Sequence, residues 1–423
     1  MIDPDKVGAD LVVRGAGRLV TCDPERDGAL GVIERGALAA REGSVVWCGP
    51  EVELAGAVTF APDAIEIDGE GAAVLPGLVD CHTHLVFAGE RLEEFAARMR
   101  GERYDTGGVR VTTTATRAAS TETLHALARA RLDRFLSFGV TTVEAKSGYG
   151  LTVEHERRLL EVAATLAHPV EVVRTFMGAH VVPEEYEDDR DGYVTLVAEG
   201  MLPGVGSLAE FCDVWIDEGA FTPTQARTIL RAARDQGLSV KVHAEQLSRS
   251  GGAAVAAEFG AVSAEHLEHA TEEDAAALAR ARTVAVLLPG ASLMTKSAPA
   301  PARMLIDAGV RVAISTDFNP GSSYSENLPL AASLACAHLG MSVEEAILGI
   351  TRHAAAAVAR ERTHGLLTAG SRADFIVLDA SHEAEIAAHY GAASIRAVVK
   401  DGKIRRGGQR GRTPGIRSRI QPA

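Results

Sequence analysis

Five side chains in this sequence are of types that hold a transition metal, and their placement along the chain is selective. An apolar run ends in Asp80-Cys81-His82-Thr83-His84. In extended backbone, side chains two apart point the same way, so both imidazoles can face one ion. His243, His266 and Asp317 each fall at the end of a later apolar segment. Neutral imidazole and carboxylate together suit zinc or iron. An HxH pair alone carries little weight, because such pairs also occur on surfaces and in cores. His155 and His168, in helix-like and loop-like contexts without companions, have that ordinary reading. What singles out the five is that all lie at strand ends, where chance would leave some on helices.

The elements that must position them alternate. Strand-like apolar segments run over 73–84, 140–150, 170–180, 210–221, 238–246, 261–269, 283–290 and 311–321, and helical periods fill most of the gaps. One helix is expected to start at Ser120, run through Leu124, Leu127, Leu132 and Phe135, and stop at Gly139. Another has Thr222 as cap, Pro223 in its first turn, Gln225 three on and Gly237 at its end. A third opens Ser342-Val343-Glu344-Glu345 with the same device. Roughly eight near-continuously apolar strands, each ending in polar residues, are what a (β/α)8 TIM-type barrel requires, with its chemistry at the C-terminal strand ends. Short Gly-punctuated strands before residue 70 and again over 372–406 are expected to pair as a small composite β-sandwich built from both termini. Asp401-Gly402 marks a hairpin turn within it. The expected division of this α/β chain is 1–70 and 366–406 for the sandwich, 71–365 for the barrel, and 407–423 for a flexible tail.

A length of 423 residues accommodates a barrel plus a small partner. The formal net charge of −14 argues against nonspecific binding to nucleic acid or to an anionic membrane, since both reward a basic surface. It says nothing about a small anionic substrate, because a local Arg can reverse the sign inside a pocket. The opening MIDPDKVGAD has acids where a secretory leader carries a basic region and an apolar run. No stretch reaches the ~18–20 apolar residues of a spanning helix, so the cytoplasm is the expected location. Cys22, Cys48, Cys81, Cys212 and Cys336 are scattered and never in CxxC spacing, which argues against a disulfide framework or zinc ribbon. GxSxG, GxxxxGK[ST] and HExxH signatures are absent. Gly15 and Gly17 lack the third glycine and following helix of a dinucleotide fingerprint.

The constellation resembles that of the amidohydrolase superfamily: HxH on the first barrel strand, His on the fifth and sixth, Asp on the eighth, and a composite β domain. Two-metal members carry a bridging Lys or Cys on the fourth strand. Here that strand ends Ile216-Asp217-Glu218, and Lys146 belongs to the second, so the resemblance implies one metal. Within the superfamily, DCHTHLVFAGER, TTVEAKSGYGL, FMGAH, FCDVW, KVHAEQ, AEHLEH and STDFNPGSS are similar to the imidazolonepropionase family over about residues 10 to 405. KSGYGL and TDFNPGS are far more specific than HxH. The resemblance implies hydrolytic ring opening of 4-imidazolone-5-propanoate to N-formimidoyl-L-glutamate in histidine breakdown. It also implies one Zn2+ or Fe3+ per subunit, held by His82, His84, His243 and Asp317. Arg91 would contact the substrate, Tyr149 and His180 would line its ring and carboxylate, and Asn319, Gly321 and Ser322 would hold the product. Asp317 and His266 are the implied catalytic pair. Asp317 both ligates and accepts a proton, and His266 serves as acid/base or carbonyl donor rather than as a further ligand. His269, three residues on, has a structural reading.

Two departures from the family pattern stand out. Gln246 occupies a position where the family often has Glu, and a neutral amide can orient substrate but cannot take a proton. The segment Tyr104-Asp105-Thr106-Gly107-Gly108 is several residues shorter than the family's, although the following Ala115-Thr116-Arg117 motif is intact. Two other readings share the metal-ligating residues: a related deaminase of a heterocyclic base, and a barrel kept only as a binding scaffold. Neither accounts for the KSGYGL and TDFNPGS pairing or needs Arg91 for a substrate carboxylate. A homodimer is the expected assembly, as the commonest one for soluble enzymes.

Overall fold

A computed structural model describes residues 6–102, 107–392 and 394–407, together with the backbone of 416–417. The first and last parts of the chain meet in one nine-stranded sheet. Its hub is Val7–Val20, which pairs antiparallel with Val32–Arg41 on one side. On the other side it pairs in parallel with Val58–Asp68 and then Ala73–Pro76. From the far end of the chain, Phe375–Leu378 adds to Ala73–Pro76, and Ile395–Lys400 and Lys403–Gly407 extend the edge. Alternation sends Leu11 and Val13 of the hub strand to one apolar cluster and Val12 to another, and a register shift between Ala9 and Leu11 puts Ala9 with Val12. Gly17 lies where the Gly71 backbone comes so close that a side chain would collide, which accounts for glycine there without any nucleotide. Asp401 and Gly402, both left-handed at φ 54° and 66°, close the last hairpin.

The second sheet is the barrel. Its eight parallel strands are β1 (Leu78–Asp80), β2 (Val140–Lys146), β3 (Glu171–Ala179), β4 (Phe211–Ile216), β5 (Ser239–Ala244), β6 (Ser263–His266), β7 (Val284–Leu287) and β8 (Val312–Ile314), hydrogen-bonded in chain order. Between the first and last strands the seam is closed just past their ends. Thr83 bridges Phe318, and the Asp80 carboxylate accepts from the Ser315 hydroxyl and, at 2.7 Å, from that of Thr316. Helices begin where the sequence places caps. Ser120 accepts from Thr123 N ahead of Thr121–Ser137, and Thr222 and Ser342 form capping boxes with Gln225 and Glu345.

The apolar run over 73–84 is two strands in different sheets. Gly77 separates them: its N–H bonds to Asp374 O of the small sheet, while a side chain there would collide with Thr141 of the barrel. Tyr104, Asp105 and Thr106 of the short segment fall outside the described residues, as does the tail apart from Gly407 and the 416–417 backbone, which pairs with Val58–Asp68. Among the described residues no helix is long and apolar enough to cross a membrane.

Candidate metal and active site

The barrel interior is charged where aliphatic packing is the usual filling. Strand alternation sends Glu144 and Lys146 of β2, Asp213 of β4, Lys241 of β5 and Glu265 of β6 inward, all fully buried at the side chain. Three carboxylates thus interleave with two ammonium groups, the arrangement in which buried charge is tolerable. Burial alone would pull the Lys146 amine down, but Asp213, Glu144 and Glu265 outweigh it and hold its pKa well above the ordinary value.

Directly above lie the histidines. The ring centroids of His82 and His84 are 5.7 Å apart, of His82 and His243 4.5 Å, and of His84 and His243 5.9 Å. Asp317 Oδ1 is 3.3 Å from His82 Nε2 and 4.0 Å from His84 Nε2. His266 centres 5.5 Å from His82 and 5.3 Å from His243. Ligand atoms of His82, His84 and Asp317 lie within 4.8 Å of one another, as do those of His82, His243 and His266. His82 Nε2, His243 Nε2 and His84 Nδ1 are buried without a hydrogen-bond partner, the condition of side chains made to hold a cation. This donor set fits one zinc or iron ion.

Protonation states follow from the surroundings. Burial takes His243 down to about 3 and His180 to about 4, and takes His84 well below its ordinary value with help from neighbouring imidazoles. These rings are neutral at pH 7. Burial opposes the charge on His82, but Glu265 raises it to about 9. Burial also works against the Asp317 carboxylate, yet its contact with His82 keeps it below the usual carboxylate range. Glu245, His266, Leu267 and Asp317 are all left-handed, at φ 57°, 76°, 68° and 51°. Such backbone costs about 1–3 kcal/mol per residue, and here it turns the strand ends over the site.

A cavity of about 300 Å³ opens above the histidines. Of the residues expected at the site, His84, His243, His266 and Asp317 line it. So do Tyr149, His180, Gln246, Asn319 and Ser322. The His180 ring stacks on His84 at 4.9 Å, and its Nδ1 donates to Gly148 O at 2.9 Å, leaving Nε2 as an acceptor. Glu156 gathers the N–H groups of Gly148, Gly150 and Leu151 and so shapes the turn that presents Tyr149. Gln246 is held through its backbone, which donates to Asp217 at 2.8 Å.

Arg91 and Gly321 lie elsewhere. They line a neighbouring, largely apolar cavity of about 940 Å³, with Ser322 in the wall of both. The Arg91 fork grips Glu94 at 2.6 and 2.7 Å, and a side chain at Gly321 would collide with its guanidinium. Asn319 is engaged within its own loop. Its Oδ1 accepts from the N–H groups of Gly321 and Ser322, and its Nδ2 donates to Asp317 O and Ser322 Oγ. The amides of Gly321 and Ser322, in the segment expected to hold the product, are thus turned inward. Ser322 Oγ in turn donates to Asp317 Oδ2 at 3.0 Å.

Sequence reasoning missed Trp215, whose ring flanks His180 at 5.7 Å in the cavity wall and whose buried Nε1 has no partner. The signal was present, since Asp213, Trp215 and Asp217 alternate on one face of β4. It also missed Arg131, which lies over Phe87 at 3.5 Å and donates to Leu85 O and Phe87 O, fastening the loop after the HxH pair.

Comparison with known proteins agrees with this geometry. The sequence model of the amidohydrolase family matches residues 73–405. An imidazolonepropionase from Symbiobacterium thermophilum is 47% identical over 411 residues, covering 93% of this chain and 97% of its own. One from Mycolicibacterium smegmatis is 44% identical, covering 93% and 97%. In structure, a zinc-bound adenosine deaminase from Xanthomonas campestris superposes with a TM-score of 0.71 at 17% identity, over 94% of this chain and 93% of the other. A mutant atrazine chlorohydrolase from Arthrobacter aurescens, complexed with zinc and atraton, gives 0.70 at 19%, over 93% and 94%. These two share the fold. Barrel, composite sheet and full-length sequence likeness together make this chain a member of the amidohydrolase family and, within it, of the imidazolonepropionases.

Proposed function

We propose that this protein hydrolyses 4-imidazolone-5-propanoate to N-formimidoyl-L-glutamate, as a cytoplasmic homodimer with one Zn2+ or Fe3+ per subunit. The observation that carries the reading is the gathering of His82, His84 and His243 against the Asp317 carboxylate, with His82 Nε2 buried and unpartnered 3.3 Å from it, in a chain 47% identical to an imidazolonepropionase across nearly the whole of both.

His82, His84, His243 and Asp317 would hold the ion, which when bound acts as a Lewis acid on the amide carbonyl and makes water a stronger nucleophile near neutral pH. Asp317, kept ionised and anchored by Ser322, accepts the proton from the attacking water. His266 faces the same space and serves as carbonyl donor and proton carrier to the leaving ring nitrogen, whose bond to the carbonyl carbon breaks. His180 Nε2 accepts from a ring N–H of the substrate, Tyr149 closes over the ring, and Gln246 orients it with an amide that takes no part in proton transfer. The propionate is taken by Arg91 across the Gly321–Ser322 wall, through a planar fork suited to carboxylate. Asn319 supports that wall from within the loop.

Metal-loaded protein should remove the absorbance of the imidazolone, and Asp317→Asn should not. Unchanged imidazolone, with ammonia released from a panel of amino-substituted heterocycles, would assign the site to a deaminase instead. Failure to act on either panel, with no metal retained, would leave a binding scaffold.

A further inference from the structure

Beneath the proposed metal ligands, one ammonium ties two of them together. Lys146 Nζ, at the end of β2, lies 2.7 Å from Asp213 Oδ2, 2.8 Å from Glu265 Oε2 and 3.0 Å from Glu144 Oε2. Two of those same oxygens face imidazoles. Glu265 Oε2 is 2.7 Å from His82 Nδ1, and Asp213 Oδ2 is 3.0 Å from His243 Nδ1. With each Nδ1 facing a carboxylate, Nε2 is the nitrogen left for ligation. We propose that Lys146 is a positioning residue for the metal, acting through Glu265 and Asp213 to set the tautomer and ring orientation of His82 and His243 jointly. This rests on the metal-site reading above.

The geometry explains why a cation is needed at that point. His243 Nδ1 is 3.0 Å from Asp213 and 3.6 Å from Glu265, so the two carboxylates crowd one imidazole edge. Without a positive charge between them in a buried site, the two carboxylates repel and one must turn away from its imidazole. Lys241 cannot substitute. It sits 2.7 Å from Glu144 Oε1 and 3.4 Å from Glu265 Oε1, the far oxygen, which Ser263 also holds at 2.8 Å. Glu265 is thus clamped at both ends, whereas Asp213 has the His243 backbone N–H on Oδ1 at 3.2 Å and Lys146 as the cation on Oδ2. The ammonium also stands beside the Asp213, His243 and Glu265 group, whose ligand atoms lie within 4.8 Å of one another. A fixed charge there works against a second cation, in keeping with the one-ion reading above.

The test is zinc affinity, measured by competition between the purified metal-free protein and a chromogenic chelator, with the zinc-dependent rise in Tm as a second readout. Lys146→Met is expected to bind zinc about 10–100-fold more weakly than wild type. Asp213→Asn should weaken it similarly, and the double variant should be no weaker than the worse single one, because both act through one chain of contacts. A merely structural role would lower the Tm of the metal-free protein and leave zinc affinity unchanged. A folded Lys146→Met that binds zinc as tightly as wild type overturns the proposal. If that variant does not fold, wild-type affinity in Asp213→Asn overturns it equally. Wild-type protein that takes up no zinc would instead overturn the metal-site reading, and this one with it.

Discussion

Asp317 is asked to do two things its backbone makes expensive: it sits left-handed at φ 51° and keeps a buried charge. Asn tolerates that conformation, so Asp317→Asn removes the charge and proton acceptor while leaving the turn. We expect kcat/KM to fall by about 10²–10⁴-fold or more, with the Tm of the metal-free protein little changed. Trp215→Phe probes a different contact, because it keeps the ring and deletes the buried, unpartnered N–H. If that group meets the substrate, kcat/KM should fall about five- to tenfold, the worth of one ordinary hydrogen bond of ~1 kcal/mol. At this scale the cluster proposed to hold the metal was legible because HxH and the strand-end residues are of unmistakable type, and the structure brings them together. Lys146, Glu144, Asp213 and Glu265 were harder to interpret. Each is a single charge in an apolar strand, and only their convergence inside the barrel gives it meaning. Lys146 entered the sequence reading only as a second-strand residue that does not replace the bridging ligand of two-metal relatives.

Helix starts were legible for a local reason, since a capping box is written within four residues. Thr222→Ala removes the acceptor for Gln225 N and should cost about 1 kcal/mol, read from urea denaturation. Strand boundaries were less legible. An apolar run records burial but not which sheet does the burying, so 73–84 showed no break at Gly77. Between the bodies, at the N-terminal edge of β3, Glu171 meets Arg360 at 3.2 Å, His364 at 2.9 Å and Lys400 of the small sheet at 3.6 Å. The contact with His364 leads the others in holding the Glu171 carboxyl far below its ordinary 4.5. A depressed carboxylate contributes stability above its unfolded value and loses it as pH falls through the folded one. Glu171→Gln should therefore lower Tm at pH 7, and the gap to wild type should close progressively below about 4.5.

For the molecule as a whole, a metal bound as proposed would be part of the stability. An ion held only by the folded state stabilises it by mass action, so exhaustive chelation should lower Tm and added zinc should restore it. Chelation without effect on Tm would count against the ion being bound at these residues. Sedimentation velocity should give twice the chain mass of 44.4 kDa if the protein is the homodimer proposed. The one-residue junction at Gly77 carries a further consequence. Because the strand that ends the small sheet and the strand that begins the barrel are almost continuous, there is no slack through which they could swing apart. The HxH pair follows a few positions later and inherits its height above the barrel floor from that taut seam. Lengthening the seam by two or three residues would slide both imidazoles out of register with His243 and Asp317. A barrel excised at residue 78 would deprive its first strand of the tie that Gly77 makes to Asp374 of the small sheet.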